Sequence, residues 1–335
     1  MNSGEAMSPR IKKRILILFT IIAIFYLIIT PLTIFIVHSL VMSKCTYKEH
    51  DPDKFLIYAD VAEKYPREKF EIASGKNTLS AWLYGKENSK GLIVVAPGHR
   101  DSNDKKLYEI MYFVDAGFQV LCFDYTGCYT SESSTFGGYT QAVYDLDAVL
   151  SWCDKNEQFK TLPVYLFGHS LGGYAVTAVL NYPHRVDALV SASGFNSAKE
   201  QWECSIKRFS GPAYFLIKPI NLLFIHFKYG ADKNLSAVSG INKTHIPVFV
   251  ISAEDDIFYG GKTSPIYQKQ NMITNQNCKF LLMDQPEHNG HYSYFLTDAA
   301  IEYQKTNPKD NIDKNLYMEH DKAIMQIICS FFNNN

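Results

Sequence analysis

The chain has 335 residues, 47% of them apolar, which is enough for one large domain with a sizeable core. Its 33 basic and 34 acidic residues leave a formal net charge of -1. That balance excludes a bulk electrostatic surface for polyanions, so no nucleic-acid partner is expected.

Residues 1–14 end in a basic cluster of Arg10, Lys12, Lys13 and Arg14. Behind it, Ile15 to Met42 carries no formal charge, and Pro31 and His38 interrupt only its second half. A membrane helix needs roughly 20 apolar residues, whereas the apolar region of a signal peptide runs to roughly 7–15. Ser39-Leu40-Val41-Met42 is also a poor cleavage site. Residues 15–42 are therefore predicted to span a membrane. Lys44 and Lys48, behind the helix, are diluted by Glu49, Asp51 and Asp53. The excess of basic residues in front predicts a cytoplasmic N-terminus and an extracytoplasmic main domain. The seven cysteines are scattered and odd in number, with no CxxC and no metal spacing. They form no disulfide framework and suit a reducing setting, against the outer location.

Residues 43–66 read as a juxtamembrane linker. Lys69–Ala73 and Leu79–Tyr84 flank Ser74-Gly75-Lys76-Asn77 and predict a hairpin. Strands and helices then alternate. Strands are predicted at Leu92–Ala96, Gln119–Phe123, Val164–Phe167, Ala188–Ser191, Val248–Ser252 and Phe280–Met283. Helices are predicted at Lys105–Ala116, Thr140–Cys153, Leu171–Asn181 and Asp321–Phe332. This alternation predicts an α/β fold over 67–335, a mostly parallel sheet with helices on both faces. Residues 196–245 break the rhythm with bulky apolar groups such as Tyr214-Phe215-Leu216-Ile217. A structureless loop of that length is rare in a compact domain, so the insertion reads as a helical cap.

Gly168-His169-Ser170-Leu171-Gly172 lies between a predicted strand and a predicted helix. G-x-S-x-G needs that setting, because its serine sits on a tight strand-to-helix turn that closes only if the flanking positions lack bulk. The turn lifts the hydroxyl to the carboxyl edge of the sheet, which makes Ser170 the candidate nucleophile. A hydroxyl requires a base to take its proton and an acid to orient that base. The acid is expected after Pro247–Ala253, where Asp256 is the first choice and Asp255 the alternate. The base is expected after Phe280–Met283. There His288 is favoured by loop length and by its asparagine neighbour, with His291, preceded by Gly290, as the alternate. Oxyanion stabilisation needs two backbone N–H groups, assigned to Leu171 and, in the loop Pro97-Gly98-His99-Arg100, to His99. No cofactor and no metal are expected, since the histidine pair has no third ligand at suitable spacing.

Together these segments resemble the α/β-hydrolase superfamily, in its serine aminopeptidase-like and lysophospholipase-like branch. The resemblance rests on GLIVVAPGHRDS (91–102), FDYTGCYTSES (123–133), LFGHSLGGYA (166–175), IPVFVISAEDD (246–256) and FLLMDQPEHNGH (280–291). Thr126 and Tyr129 stand where the family usually has an arginine and a second glycine in the loop walling the acyl pocket. The resemblance implies a serine hydrolase with a Ser-His-Asp triad and an acyl-enzyme. The favoured reading is a membrane-anchored esterase, lipase or lysophospholipase acting on a small-molecule or lipid-like ester. An aminopeptidase is the alternative; it would need carboxylates such as Glu200, Glu203 or Asp255 to hold a free amine. A non-catalytic binding protein on the same fold is the third.

Overall fold

The computed structural model describes residues 8–46, 51–230, 235–259, 265–306 and 310–335. Residues 1–7 of the expected N-terminal segment, 47–50 of the expected linker and 231–234 of the expected cap lie outside them.

Eight strands form one sheet in the order β1-β2-β4-β3-β5-β6-β7-β8. The hairpin β1 (Arg67–Ser74) and β2 (Asn77–Tyr84) is antiparallel, and β2 joins β4 antiparallel. The rest is parallel: β3 (Leu92–Ala96), β4 (Gln119–Phe123), β5 (Val164–His169), β6 (Ala188–Ala192), β7 (Val248–Ala253) and β8 (Cys278–Met283). Strands β3 to β7 are buried along their whole length. A strand covered on both faces needs a continuous apolar run rather than an alternating one, which is why these segments read as they do.

After α1 (Pro9–Val41) and the single turn α2 (Tyr58–Val61), the covering helices are α3 (Leu107–Asp115), α4 (Gln141–Lys155) and α5 (Leu171–Ala178). An insertion between β6 and β7 supplies α6 (Ala198–Ser210) and α7 (Tyr214–Tyr229), followed by α8 (Ala237–Asn242). The chain ends with α9 (Asp298–Lys305), α10 (Lys314–Tyr317) and α11 (Lys322–Asn333). Two hydrophobic clusters fill the two faces of the sheet. One joins α4, α5 and α8 to residues such as Val94, Leu166 and Val250. The other joins α3 and α11 to residues such as Val95, Phe167 and Ile251. The expected α/β architecture is therefore present. Helices α9 and α10 are additions, placed between the last strand and the last helix.

The insertion after β6 is pinched at its base by the bridge between Ser197 and Ser236. Ser197 caps α6 by accepting from the backbone N–H of Glu200. The two insertion helices are locked by Trp202, whose Nε1 donates to Asn221 Oδ1 at 3.1 Å.

Helix α1 is long and apolar enough to cross a membrane, and its most apolar 18-residue stretch is uncovered. Its far end is fixed to the domain. The backbone N–H of Cys45 donates to Gly127 O at 2.9 Å, and that of Tyr129 donates to Cys45 O at 2.9 Å. Arg100 donates to Ser43 Oγ at 3.2 Å. Residues 43–45, at the front of the expected linker, are thus sewn into the domain beside the loops that build the site. Six of the seven cysteines are buried, consistent with thiols used as packing groups.

Candidate active site

Ser170 sits between β5 and α5 with φ +58° and ψ -116°. A non-glycine residue in this region costs on the order of 1–3 kcal/mol, and persists only where the surroundings impose it. Those surroundings are glycines. A Cβ on Gly172 would lie 1.9 Å from Ala96 O, and one on Gly168 would lie 2.2 Å from Gly172 O. The bare backbone at Gly172 lets α5 close onto the end of β3. That approach brings the loop Pro97-Gly98-His99 beside the serine. His99, Ser170 and Leu171 accordingly line one cavity.

The loops after β7 and β8 are zipped together. The backbone N–H of Glu254 donates to Met283 O at 3.0 Å, and that of Asp255 donates to Asn289 O at 2.9 Å. Asn289 Nδ2 returns a bond to Asp255 Oδ2 at 2.7 Å. This pairing decides which histidine meets the acid. Two residues beyond Asn289, His291 Nδ1 lies 2.5 Å from Asp256 Oδ2. The second carboxylate oxygen of Asp256 accepts the backbone N–H of Phe258 at 3.0 Å. Only 4% of the Asp256 side chain is exposed. Charge-assisted bonds of this kind are strongest where water is excluded.

The structure does not bring His288, the first choice for the base, to Asp256. Glu287 turns the chain with φ +69°, and the His288 N–H closes a turn onto Gln285 O. His288 Nε2 then pairs with Asp298 Oδ1 at 2.7 Å, at the start of α9. Loop length ignores the zipper, which fixes the register from Asn289 onward. The histidine brought to Asp256 is the alternate, His291, preceded by Gly290. The alternate acid, Asp255, is engaged by Asn289 rather than by a histidine.

Sequence reasoning missed the groups that hold His291. Its carbonyl accepts from His169 Nε2 at 2.8 Å and from Ser193 Oγ at 3.1 Å. A carbonyl only accepts, so His169 carries its proton on Nε2. Burial pushes the His169 imidazole well below the usual histidine range, and His291 and Lys106 push it the same way. His169 therefore stays neutral and keeps the donor in place. The middle position of Gly-His-Ser is thus occupied by a positioning residue, which a motif pattern treats as arbitrary.

Asp124 performs a similar service for the segment that follows β3. Its carboxylate accepts from the backbone N–H of Asn103 at 2.9 Å and from Thr130 Oγ1 at 3.0 Å. It thereby ties residues 97–103 to residues 124–131. Burial pushes its carboxyl up to about 7, although these bonds act to lower it. A charged cluster forms part of the cavity wall, where Lys106 Nζ contacts Asp101 at 3.2 Å and, behind it, Glu109 at 3.3 Å. Tyr292, next to the histidine, donates to Glu109 at 3.1 Å.

Residues 87–240 match the family model described as serine aminopeptidase, S33. Among solved structures, the Pyrococcus furiosus esterase Pf2001 is similar over 83% of this chain and 95% of its own, at 16% identity and a TM-score of 0.57. The Pyrococcus horikoshii acylaminoacyl peptidase is similar over 71% of this chain and 40% of its own, at 14% identity and a TM-score of 0.52. No curated protein matches in sequence. The chain has the α/β-hydrolase fold.

Within this fold the cavity at Ser170 measures about 920 Å³. Trp202, Ile206 and Phe209 of the insertion line it, as do Phe258 and, from α1 itself, Val37 and Val41. The carboxylates considered for binding an amine are otherwise occupied. Glu200 pairs with Lys269 at 3.2 Å, and Glu203 accepts from Tyr214 at 2.7 Å. Among the described residues no group of three metal-ligating side chains occurs.

Proposed function

We propose that the protein is a membrane-anchored serine hydrolase of carboxylic esters, with Ser170 as nucleophile, His291 as base and Asp256 as the orienting acid. The observation that carries this reading is the 2.5 Å contact between His291 Nδ1 and a buried Asp256, in a cavity shared with Ser170. With Nδ1 committed to Asp256, Nε2 is the nitrogen that takes the proton from Ser170. The Ser170 oxygen attacks the ester carbonyl and forms a tetrahedral adduct. Its oxyanion is met by the backbone N–H groups of His99 and Leu171 at the start of α5, where the helix dipole adds to the stabilisation. The adduct collapses, the alcohol leaves with the proton held by His291, and the acyl group remains on Ser170. Water, deprotonated by the same histidine, then releases the acid.

The preference for esters over amino-terminal amides follows from the lining. The pocket wall is mostly apolar, its carboxylates Asp101 and Asp255 are held by Lys106 and Asn289, and Glu200 and Glu203 already have partners. An acyl chain gains from such a wall, whereas a substrate ammonium gains only from an available carboxylate. Anchoring by α1 rests on the length and exposure of that helix, with the basic cluster at its front edge favouring a cytoplasmic N-terminus. Val37 and Val41 of α1 line the pocket, which supports a lipid-like substrate. Parallel assays with p-nitrophenyl acyl esters and amino-acid p-nitroanilides test the reading. Ester turnover that disappears in Ser170→Ala is expected, and preferential turnover of the anilides would overturn the substrate class.

A further inference from the structure

The insertion helix α7 carries a ridge of exposed apolar side chains, which packing inside this domain does not explain. Phe215 is 72% exposed, Leu223 53% and Phe227 78%; Phe209, just before the helix, is 78% exposed. Large apolar groups in one contiguous strip signal a partner surface rather than chance exposure.

What adjoins the ridge identifies the partner. Helix α7 lies along α1. The Tyr26 hydroxyl donates to Leu216 O, and His38 Nε2 meets Tyr229 OH at 3.0 Å. His38 also packs against Trp202 and Phe224, with ring centroids 5.0 and 5.2 Å away. The two helices therefore run side by side in the same direction, in nearly the same register. At 1.5 Å per residue, Tyr26 stands about 16 Å beyond Ile15, the first residue after the basic cluster. A hydrocarbon core is about 30 Å thick, so a helix that enters it at Ile15 is only about halfway across at Tyr26. The contact with Leu216 then carries the first half of α7 to the same depth.

We propose that the α7 ridge is immersed in the bilayer leaflet on the domain side, where it forms one continuous apolar surface with α1 and sets the mouth of the Ser170 cavity at the lipid. The inference rests on the reading that α1 spans the membrane. The partner is the acyl-chain region of a phospholipid leaflet. Lys228, exposed near the end of the same helix about 18 Å beyond Leu216, has a long stem that suits the headgroup layer. Phe209 belongs both to the exposed strip and to the cavity lining, so the immersed ridge and the cavity are contiguous.

Depth-dependent tryptophan quenching in the full-length chain, reconstituted into phosphatidylcholine vesicles, tests the proposal. Phe215→Trp, Leu223→Trp and, on α1, Phe25→Trp are compared with the parent protein, using phosphatidylcholine brominated on its acyl chains and aqueous acrylamide. The expected result is loss of most of the added emission with brominated lipid at all three positions, and little loss with acrylamide. Quenching of Phe25→Trp by lipid while the two α7 positions respond to acrylamide would overturn the ridge but leave the anchor standing. Protection of the α7 positions from both quenchers would assign the ridge to a protein partner, such as a second copy, and also overturn it. Failure of Phe25→Trp to respond to brominated lipid would remove the anchor, and the inference with it.

Discussion

Two histidines on the loop after β8 each bond an aspartate at short distance, yet only one pair has the properties of a catalytic couple. His291 meets Asp256, whose side chain is 4% exposed, inside the cavity that Ser170 lines. His288 meets Asp298, whose side chain is 94% exposed, at the N-terminus of α9. The distances, 2.5 and 2.7 Å, barely separate them. Solvation does. A fully solvated carboxylate gains little from an ion pair, because water competes for it. A buried carboxylate with a second bond, here from the Phe258 N–H, fixes both the tautomer and the orientation of its imidazole. A hydrogen-bonded His–Asp pair is therefore a common surface feature, and becomes a functional one through burial and placement.

The largest expected effects break this comparison directly. Ser170→Ala and His291→Ala should each lower ester kcat by about 10⁴-fold or more, while His288→Ala should stay within about tenfold of wild type. Initial-rate measurements on a p-nitrophenyl ester check this, and a deep loss in His288→Ala with activity retained in His291→Ala would reverse the two roles. Next are the acids. Asp256→Asn should cost about 10⁴-fold in kcat through the wrong tautomer, whereas Asp298→Asn and Asp255→Asn should leave kcat nearly unchanged.

A smaller effect sharpens the account of how His291 is held. His169→Phe keeps the bulk but removes the donor to the His291 carbonyl, and a single such bond contributes about 1 kcal/mol. Roughly a five- to tenfold fall in kcat with little change in KM is expected. A purely structural role would instead lower the amount of folded enzyme and leave kcat per active site unchanged, which active-site titration distinguishes.

The smallest effect concerns stability rather than turnover. The Asp124 carboxyl is raised from 3.8 to about 7 by burial in the folded protein. Between those values the unfolded chain has released this proton and the folded chain has not. The stability it contributes is therefore fully present below about pH 4 and is lost as pH rises to about 7. His169 acts with the opposite slope, because its lowered value makes protonation favour the unfolded chain as pH falls below its usual range. The informative quantity is thus the difference between Asp124→Asn and wild type. The midpoint at pH 7 minus that at pH 4.5 should be more positive in the variant than in wild type, and an equal difference in both proteins would show that Asp124 does not contribute.

The sheet and the elbow were legible in the sequence because their causes are local. Leu92–Ala96 and Val164–Phe167 are buried on both faces and need unbroken apolar runs, and the glycines around Ser170 answer to close backbone approaches. The place of Asp256 was legible for a similar reason, since it lies three residues past the end of β7. The base was less legible, because its position depends on a bond between two loops distant in sequence, Asp255 N–H to Asn289 O. Nothing in the composition of residues 284–291 encodes that register. The support from His169 and Asp124 was hidden for the same reason, as each acts on a carbonyl or an N–H of another segment. The docking of residues 43–45 onto the loop at Gly127 was also out of reach, because a polar stretch after an apolar helix reads as a tether.

The most direct test of the central claim is labelling of the full-length chain with a fluorophosphonate probe, followed by mapping of the modified peptide. A single adduct is expected on Ser170, abolished in Ser170→Ala, strongly slowed in His291→Ala and nearly unaffected in His288→Ala. Folded wild-type protein that takes no label at Ser170, or that takes it at a different residue, would contradict it.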